Sequence, residues 1–179
     1  IKKKSIKESR VFSTRNLVST LKSLKNPPKI LLSASAIGFY GNHKPVELYE
    51  DLGPGRGFLA DVCKEWEHET FAAKDHAIRT IALRIGLVLG YEGGALKKML
   101  PPFWAGLGGN LSDGSQWMSW IHIKDLVDMI IYSVENKNVQ GTYNAVSPEP
   151  VTNKLFTKCL AKTLKRPALF PVPKFVLKI

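Results

Sequence analysis

The chain has 179 residues, 44% of them hydrophobic and 23% charged, with 26 Lys and Arg against 15 Asp and Glu for a formal net charge of +11. That is sufficient for one sizeable apolar core. It excludes a disordered segment, a collagen-like repeat and, with only Cys63 and Cys159, a disulfide-built scaffold or a zinc ligand set.

No apolar run approaches the roughly 18 residues that span a bilayer, and the opening IKKKSIKESR lacks the apolar stretch of a secretory signal. No membrane partner is expected, and the expected compartment is the cytoplasm or an organelle interior. The basic residues are scattered along the chain, which reads as solvated faces and argues against a nucleic-acid partner.

In chain order, Val11, Leu17, Val18, Leu21 and Leu24 recur at helical spacing and predict a helix over 7–25, ended by Asn26-Pro27-Pro28. Residues 29–36, KILLSASA, form an apolar run without alternation, as in a strand buried on both faces of a parallel sheet. A Gly- and Pro-rich loop over 38–57 leads to a helix over 58–74, with Leu59, Val62, Cys63, Trp66 and Ala73 on one stripe. A second buried strand is expected over 78–89, and a helix from Ala95 to Leu100 that Pro101-Pro102 stops. Beyond the Gly-rich segment 106–114, the pattern predicts a strand over 117–123, a helix over 124–135, a short strand over 141–146 and a last helix opened by Pro150-Val151-Thr152-Asn153 and ending near Lys165. Alternating helices and strands with short turns indicate an α/β fold with a doubly wound parallel sheet, in which ligands sit at the strand ends.

At the end of the first strand, Ser33-Ala34-Ser35-Ala36-Ile37-Gly38-Phe39-Tyr40-Gly41 places two hydroxyls and a phenol. A serine there can hydrogen-bond a substrate carbonyl or alcohol, and a tyrosine can exchange a proton with it. Equally, both serines can satisfy backbone groups at a strand end.

Residues 33–41, together with Trp117-Met118-Ser119-Trp120-Ile121-His122 and Asp125-Leu126, resemble the epimerase family proteins of the atypical and extended short-chain dehydrogenase/reductases, the NAD-dependent epimerase/dehydratase superfamily. Gly57-Phe58-Leu59-Ala60 with Trp66-Glu67, residues 83–90 with Gly93-Gly94-Ala95-Leu96, residues 144–152 and Arg166-Pro167 match in order. The resemblance spans the whole chain. It implies a partial Rossmann-like sheet with a small substrate-side α/β segment: residues 1–147 would be the C-terminal part of an NAD(P)-binding domain with substrate-side insertions, and 148–179 the start of a helical region. It implies an NADP or NAD cofactor, a small-molecule and nucleotide-sugar-like substrate, a homodimer, and either oxidoreductase or nucleotide-sugar epimerase/dehydratase chemistry.

Against that resemblance two features are missing. No strand, Gly-rich turn and helix of the kind that grips a dinucleotide pyrophosphate opens the chain, so an N-terminally truncated piece is expected. The helix that carries a Tyr-x-x-x-Lys pair in active relatives reads FLADVCKEWE, with Phe58 and Val62, or Leu59 and Cys63, at the pair's positions. The one literal Tyr-x-x-x-Lys, Tyr40 to Lys44, contains Gly41 and precedes Pro45, a composition suited to a loop.

The catalytic candidates are therefore Ser35, Tyr40 and His122, since an imidazole gives or takes a proton near neutral pH. His122 has a second reading as a hydrogen-bonded residue beside a helix cap. Asp125 reads as the first-turn acid of its helix. Ser33, Ala34, Arg84, Gly86, Val88 and Leu89 are the cofactor-contact candidates, and Trp117, Ser119 and Trp120 the substrate-contact candidates. Arg84, inside an apolar strand, must find a partner or reach the strand's end. His43, His68 and His76 lack metal-ligand spacing, and no metal is expected. A cofactor-binding sensor or partner-binding module without catalysis is the alternative to an enzyme.

Overall fold

The structure is a computed structural model and describes residues 2–42 and 46–172. His43, Lys44 and Pro45, and with them the literal Tyr-x-x-x-Lys spacing, lie outside the described residues, as does the tail 173–179.

The chain divides into two compact units, one of residues 1–85 and 127–145, the other of 86–126 and 146–179. In the first, β1 (Ile30–Ala36), β2 (Arg79–Ile85) and β6 (Gly141–Ala145) form a parallel sheet in the order β1-β2-β6. Ile30 pairs with Arg79 and Ile81 with Gly141, so the three strands end together at Ala36, Ile85 and Ala145. Ile81, Ala82 and Leu83 of the central strand are fully buried, as an uninterrupted apolar run requires.

The first helical segment starts at Lys2, earlier than the periodicity indicates, and runs as α1 (Lys2–Lys7), a π-helical turn (Glu8–Phe12) and α2 (Ser13–Ser23). It stops at Leu24, whose backbone is extended, before the prolines are reached. Val11 and Val18 are buried along it, and Val18 packs with Ala73 and Ile78. α3 (Phe58–Phe71) follows the loop and closes in a 3-10 turn (Ala72–His76). Lys7 pairs with Glu65 at 2.7 Å and Arg15 with Glu69 at 2.7 Å, fastening the first helical segment to α3. At the start of β2, the Arg79 guanidinium donates to the carbonyls of Ser133, Val134, Asn136 and Val139 at 2.7–3.1 Å, closing the C-terminal end of α5 (Ile123–Glu135).

In the second unit, β3 (Leu87–Leu89) pairs in parallel with β5 (Trp120–His122), and β4 (Trp117–Met118) antiparallel with β7 (Val151–Thr152). The expected strand over 78–89 is thus two strands, broken at Gly86. A Cβ there would lie 2.6 Å from the Ser119 carbonyl oxygen, and Leu87 donates its N–H to that oxygen at 2.8 Å. The close approach of Ser119 turns the chain out of the first sheet. The expected strand 117–123 is likewise divided at Ser119, each half with its own partner.

α4 (Gly94–Trp104) does not stop at Pro101-Pro102 but runs through them. Leu96, Met99, Leu100 and Phe103 continue one packed stripe across the prolines, while both prolines face solvent, where carbonyls deprived of a helical partner take water. α6 (Asn153–Leu164) is capped by Thr152, whose side chain accepts the Leu155 N–H.

Candidate functional site at the strand ends

In the first unit the polar candidates join into one buried network. Arg84 on β2 reaches Glu67 on α3 through two bonds, Nε to Oε1 and NH2 to Oε2, both 2.9 Å, with side chains 5% and 8% exposed. A planar guanidinium held by both carboxylate oxygens is the strong form of such a pair. Burial pulls the Arg84 guanidinium down, but its bonds to Glu67 and Tyr40 outweigh burial and leave it above its ordinary value. Its carbon lies 3.4 Å from the centre of the Phe39 ring.

Ser35 and Tyr40 are tied to this pair. Ser35 donates its hydroxyl proton to Glu67 Oε1 at 2.6 Å. Tyr40 accepts from Arg84 NH1 at 2.9 Å and donates to Asn144 Oδ1 at 2.8 Å. Both residues are buried. As placed, the two hydroxyl protons point into the chain. Ser33 donates to the adjacent Ala34 carbonyl, and Ala34 is exposed.

The structure resolves which residues of α3 face the strand end. A Cβ on Gly38 would lie 3.5 Å from Leu59 Cβ and 3.9 Å from Cys63 Sγ, so Leu59 and Cys63, not Phe58 and Val62, flank it. Leu59 is exposed and Cys63 buried. Burial pushes the Cys63 thiol up from its ordinary value, opposed by hydrogen bonding to the Ala36 backbone; the Glu67 charge adds to the rise, and the Ser35 side chain opposes it.

The remaining candidates belong to the second unit. His122 ends β5 and is exposed; its Nδ1 accepts the Lys124 N–H at 3.2 Å, the capping arrangement. That bond places the proton of the neutral ring on Nε2, which has no partner among the described residues. With Gly90, Tyr91, Glu92, Gly93, Gly94 and Ile123, His122 lines a cleft of about 510 Å³. Asp125 is in the first turn of α5. Val88 and Leu89 pair with Ile121 and His122 on β5. Trp117 is exposed, Ser119 is the residue that divides the strand, and Trp120 donates its indole N–H to the Glu149 carbonyl at 3.1 Å. Among the described residues no group of three His, Cys, Asp or Glu side chains is placed to hold a metal, and no helix is long and apolar enough to cross a membrane.

Sequence reasoning left Glu67, Asn144 and Glu50 unassigned. The signal for Glu67 was present: it follows Cys63 by four residues and precedes Thr70 by three, on the buried stripe of its helix, and a buried arginine needs a carboxylate.

The glycines test the fit of a nicotinamide dinucleotide. A phosphate-binding turn needs glycines whose missing Cβ leaves room for a phosphate. At Gly41, Gly55 and Gly86 that room is filled by the chain's own backbone, from Arg56, Tyr40 and Ser119. Those glycines build turns and offer no phosphate cradle. At the end of β1, Leu59 is exposed beside Gly38, and Ala34 is exposed on the strand.

A parallel sheet whose strands end at one level, with helices as crossovers, defines a Rossmann-like α/β protein. The family profile of the NAD dependent epimerase/dehydratase family matches residues 2–146, and the chain belongs to that family. It is 39% identical over 98% of its length to the chloroplastic epimerase family protein SDR39U1 homolog of Arabidopsis thaliana, of which it spans 51%. The human epimerase family protein SDR39U1, solved with NADPH, superposes with a TM-score of 0.90 at 31% identity, over 98% of this chain and 60% of that one. A nucleoside-diphosphate sugar epimerase from Corynebacterium glutamicum gives 0.81 at 36% identity, over 94% of this chain and 38% of that one. The chain therefore spans about half the length of the curated relative and less than two thirds of either solved one.

Proposed function

We propose that the protein containing this chain binds a nicotinamide dinucleotide, NADP or NAD, and works as an oxidoreductase or a nucleotide-sugar epimerase/dehydratase-like enzyme on a small molecule. The observation that carries this reading is the likeness over 98% of the chain to a human relative solved with NADPH. Ala34, Gly38 and Leu59 would hold the nicotinamide end by apolar contact. When bound, the cofactor would take up or supply a hydride. Ser35, Tyr40 and His122 are the proton-transfer candidates in this reading: the protons of Ser35 and Tyr40 are engaged with Glu67 and Asn144, whereas His122, in the second unit, is bonded among the described residues through Nδ1.

The second reading, a cofactor-binding protein without catalysis, is favoured by those same engaged hydroxyls and by the sequence FLADVCKEWE, which offers no tyrosine and lysine pair in either register, Phe58 and Val62 or Leu59 and Cys63. The test is made on the full-length protein. NADPH and NADH are titrated by fluorescence, and a panel of nucleotide sugars and small carbonyl compounds is screened for cofactor turnover. Turnover that falls at least tenfold in His122→Gln supports the enzyme. Unchanged turnover in that variant removes His122, and dinucleotide binding without turnover of any substrate selects the second reading. No binding of either dinucleotide overturns both.

A further inference from the structure

We infer that residues 46–57 form a strap fastened across the strand ends of the first unit, and that Asn144 is its latch, coupling the strap to the state of the Tyr40 hydroxyl. Every polar group of the Asn144 side chain, and its backbone N–H, is used for this. The backbone N–H donates to Glu50 Oε1 at 2.7 Å, and Nδ2 donates to the Leu48 carbonyl at 3.1 Å; both acceptors are on the strap. Oδ1 accepts the Tyr40 hydroxyl proton at 2.8 Å. Arg84 makes the same double connection, donating from NH1 to the Tyr40 oxygen at 2.9 Å and to the Glu50 carbonyl at 3.3 Å.

The other end of the strap is held at Gly55, which donates its N–H to the Phe39 carbonyl at 2.9 Å. Gly55 lies so close to Tyr40 that a Cβ on it would fall within 1.9 Å of the Tyr40 carbonyl oxygen. Leu48 packs on the Phe39, Tyr40 and Cys63 cluster, while Val46, Tyr49 and Leu52 face outward, 61%, 59% and 43% exposed. The strap is held by individual hydrogen bonds and one apolar side chain, with no strand ladder. Segments fastened in this way open at a small fraction of the free energy of global unfolding.

The coupling follows from sharing. Lifting the strap removes two of the three partners of Asn144, so its amide turns freely and ceases to fix the Tyr40 proton. Tyr40 then has a guanidinium on its oxygen and a proton free to face solvent or a bound molecule. Closed, the strap keeps that proton inside the chain. The inference builds on the proposed function only in giving the released phenol a place beside a bound dinucleotide; the latch itself stands on this chain's geometry.

The test uses the full-length protein, with hydrogen exchange read by mass spectrometry and nitration of Tyr40 by tetranitromethane. Asn144→Ala keeps the backbone N–H that donates to Glu50 and loses the bond from Nδ2 to the Leu48 carbonyl, so it should speed exchange over 46–57 by about two- to tenfold, the effect of losing one ordinary hydrogen bond, and should raise nitration of Tyr40 in step, with β2 unchanged as the control for the fold. Gly55→Ala, which loosens the strap from its other end and leaves Asn144 in place, should do the same. Exchange over 46–57 no faster in either variant overturns the latch; so does a strap released in both without a rise in Tyr40 nitration. NADPH titrated into the same samples reports on the dinucleotide separately, so a failure to bind falls on the proposed function and leaves the exchange result standing.

Discussion

Replacing Glu67 by Gln keeps the shape of the side chain and removes its charge. In the native protein the carboxylate receives Arg84 Nε and NH2 at 2.9 Å each and the Ser35 hydroxyl at 2.6 Å. The amide retains one acceptor oxygen and turns an N–H2 group toward Arg84 or Ser35, both of which donate. Arg84, with 5% of its side chain exposed, is then a buried cation without a counter-charge. Breaking a buried pair from one side costs about 3–5 kcal/mol, a large share of the roughly 5–15 kcal/mol that holds a domain folded. Urea unfolding of Glu67→Gln should show a midpoint lowered accordingly at an unchanged slope. Adding Arg84→Met removes the orphaned charge, so the double variant should be more stable than Glu67→Gln alone, even though methionine also gives up the bonds to Tyr40 and Glu50. The coupling expected from the cycle is at least about 2 kcal/mol. A Glu67→Gln protein within about 0.5 kcal/mol of the native one, or two substitutions that simply add, would refute the account of the network.

Arg79→Lys should lower the unfolding midpoint by an amount corresponding to about 1–2 kcal/mol, because an ammonium cannot reach the four carbonyls that the guanidinium fork joins at the end of α5. The hydrogen bond from Arg15 holds Glu69 below its ordinary carboxylate value of 4.5. This pair therefore contributes stability above that value and loses it as pH falls through the depressed one. Denaturation from pH 7 to pH 3 should show the native protein slightly ahead of Arg15→Ala at the neutral end and equal to it at the acid end, with the difference erased by added salt. Iodoacetamide at pH 8 should label the exposed Cys159 well before Cys63, whose thiol is buried and pushed above its ordinary range; peptide mapping of early time points checks this.

The sheet was legible because its strands are uninterrupted apolar runs: 29–36 and the first half of 78–89 could be nothing else in a chain alternating with helices. The break at Gly86 was signalled only by a glycine inside a strand, and its cause, the Ser119 carbonyl, comes from 33 residues further on, beyond the reach of local pattern. The passage of α4 through Pro101-Pro102 went the other way. The prolines read as a stop, but the stripe Leu96, Met99, Leu100 and Phe103 continues across them, and burial of Leu100 and Phe103 outweighs carbonyls left to solvent. For the site, the demand of Arg84 for a partner was readable from its strand, while the identity of that partner depends on the register of α3 against β2. Glu50 gave no sequence signal and Asn144 none beyond opening the matching segment 144–152, since an asparagine in an edge strand and a glutamate in a loop are ordinary surface residues until the fold brings them to one hydroxyl.

The network also bears on which side chain can move a proton. For Ser35 to donate to a substrate oxygen it must first withdraw its proton from Glu67, a bond to a charged acceptor worth about 1.5–3 kcal/mol. Each 1.36 kcal/mol is a factor of about ten in rate, so a mechanism through Ser35 starts about 10- to 150-fold behind one whose donor is free. Tyr40 carries the same kind of burden while the strap is closed. His122 carries none through Nε2, because among the described residues it bonds through Nδ1 to the Lys124 N–H, a contact that survives proton transfer at the other nitrogen. If turnover is found, Ser35→Ala should leave it nearly unchanged and destabilise the fold, whereas His122→Gln should reduce it with little effect on the urea midpoint; the reverse pattern would move the proton-transfer step back to the end of β1.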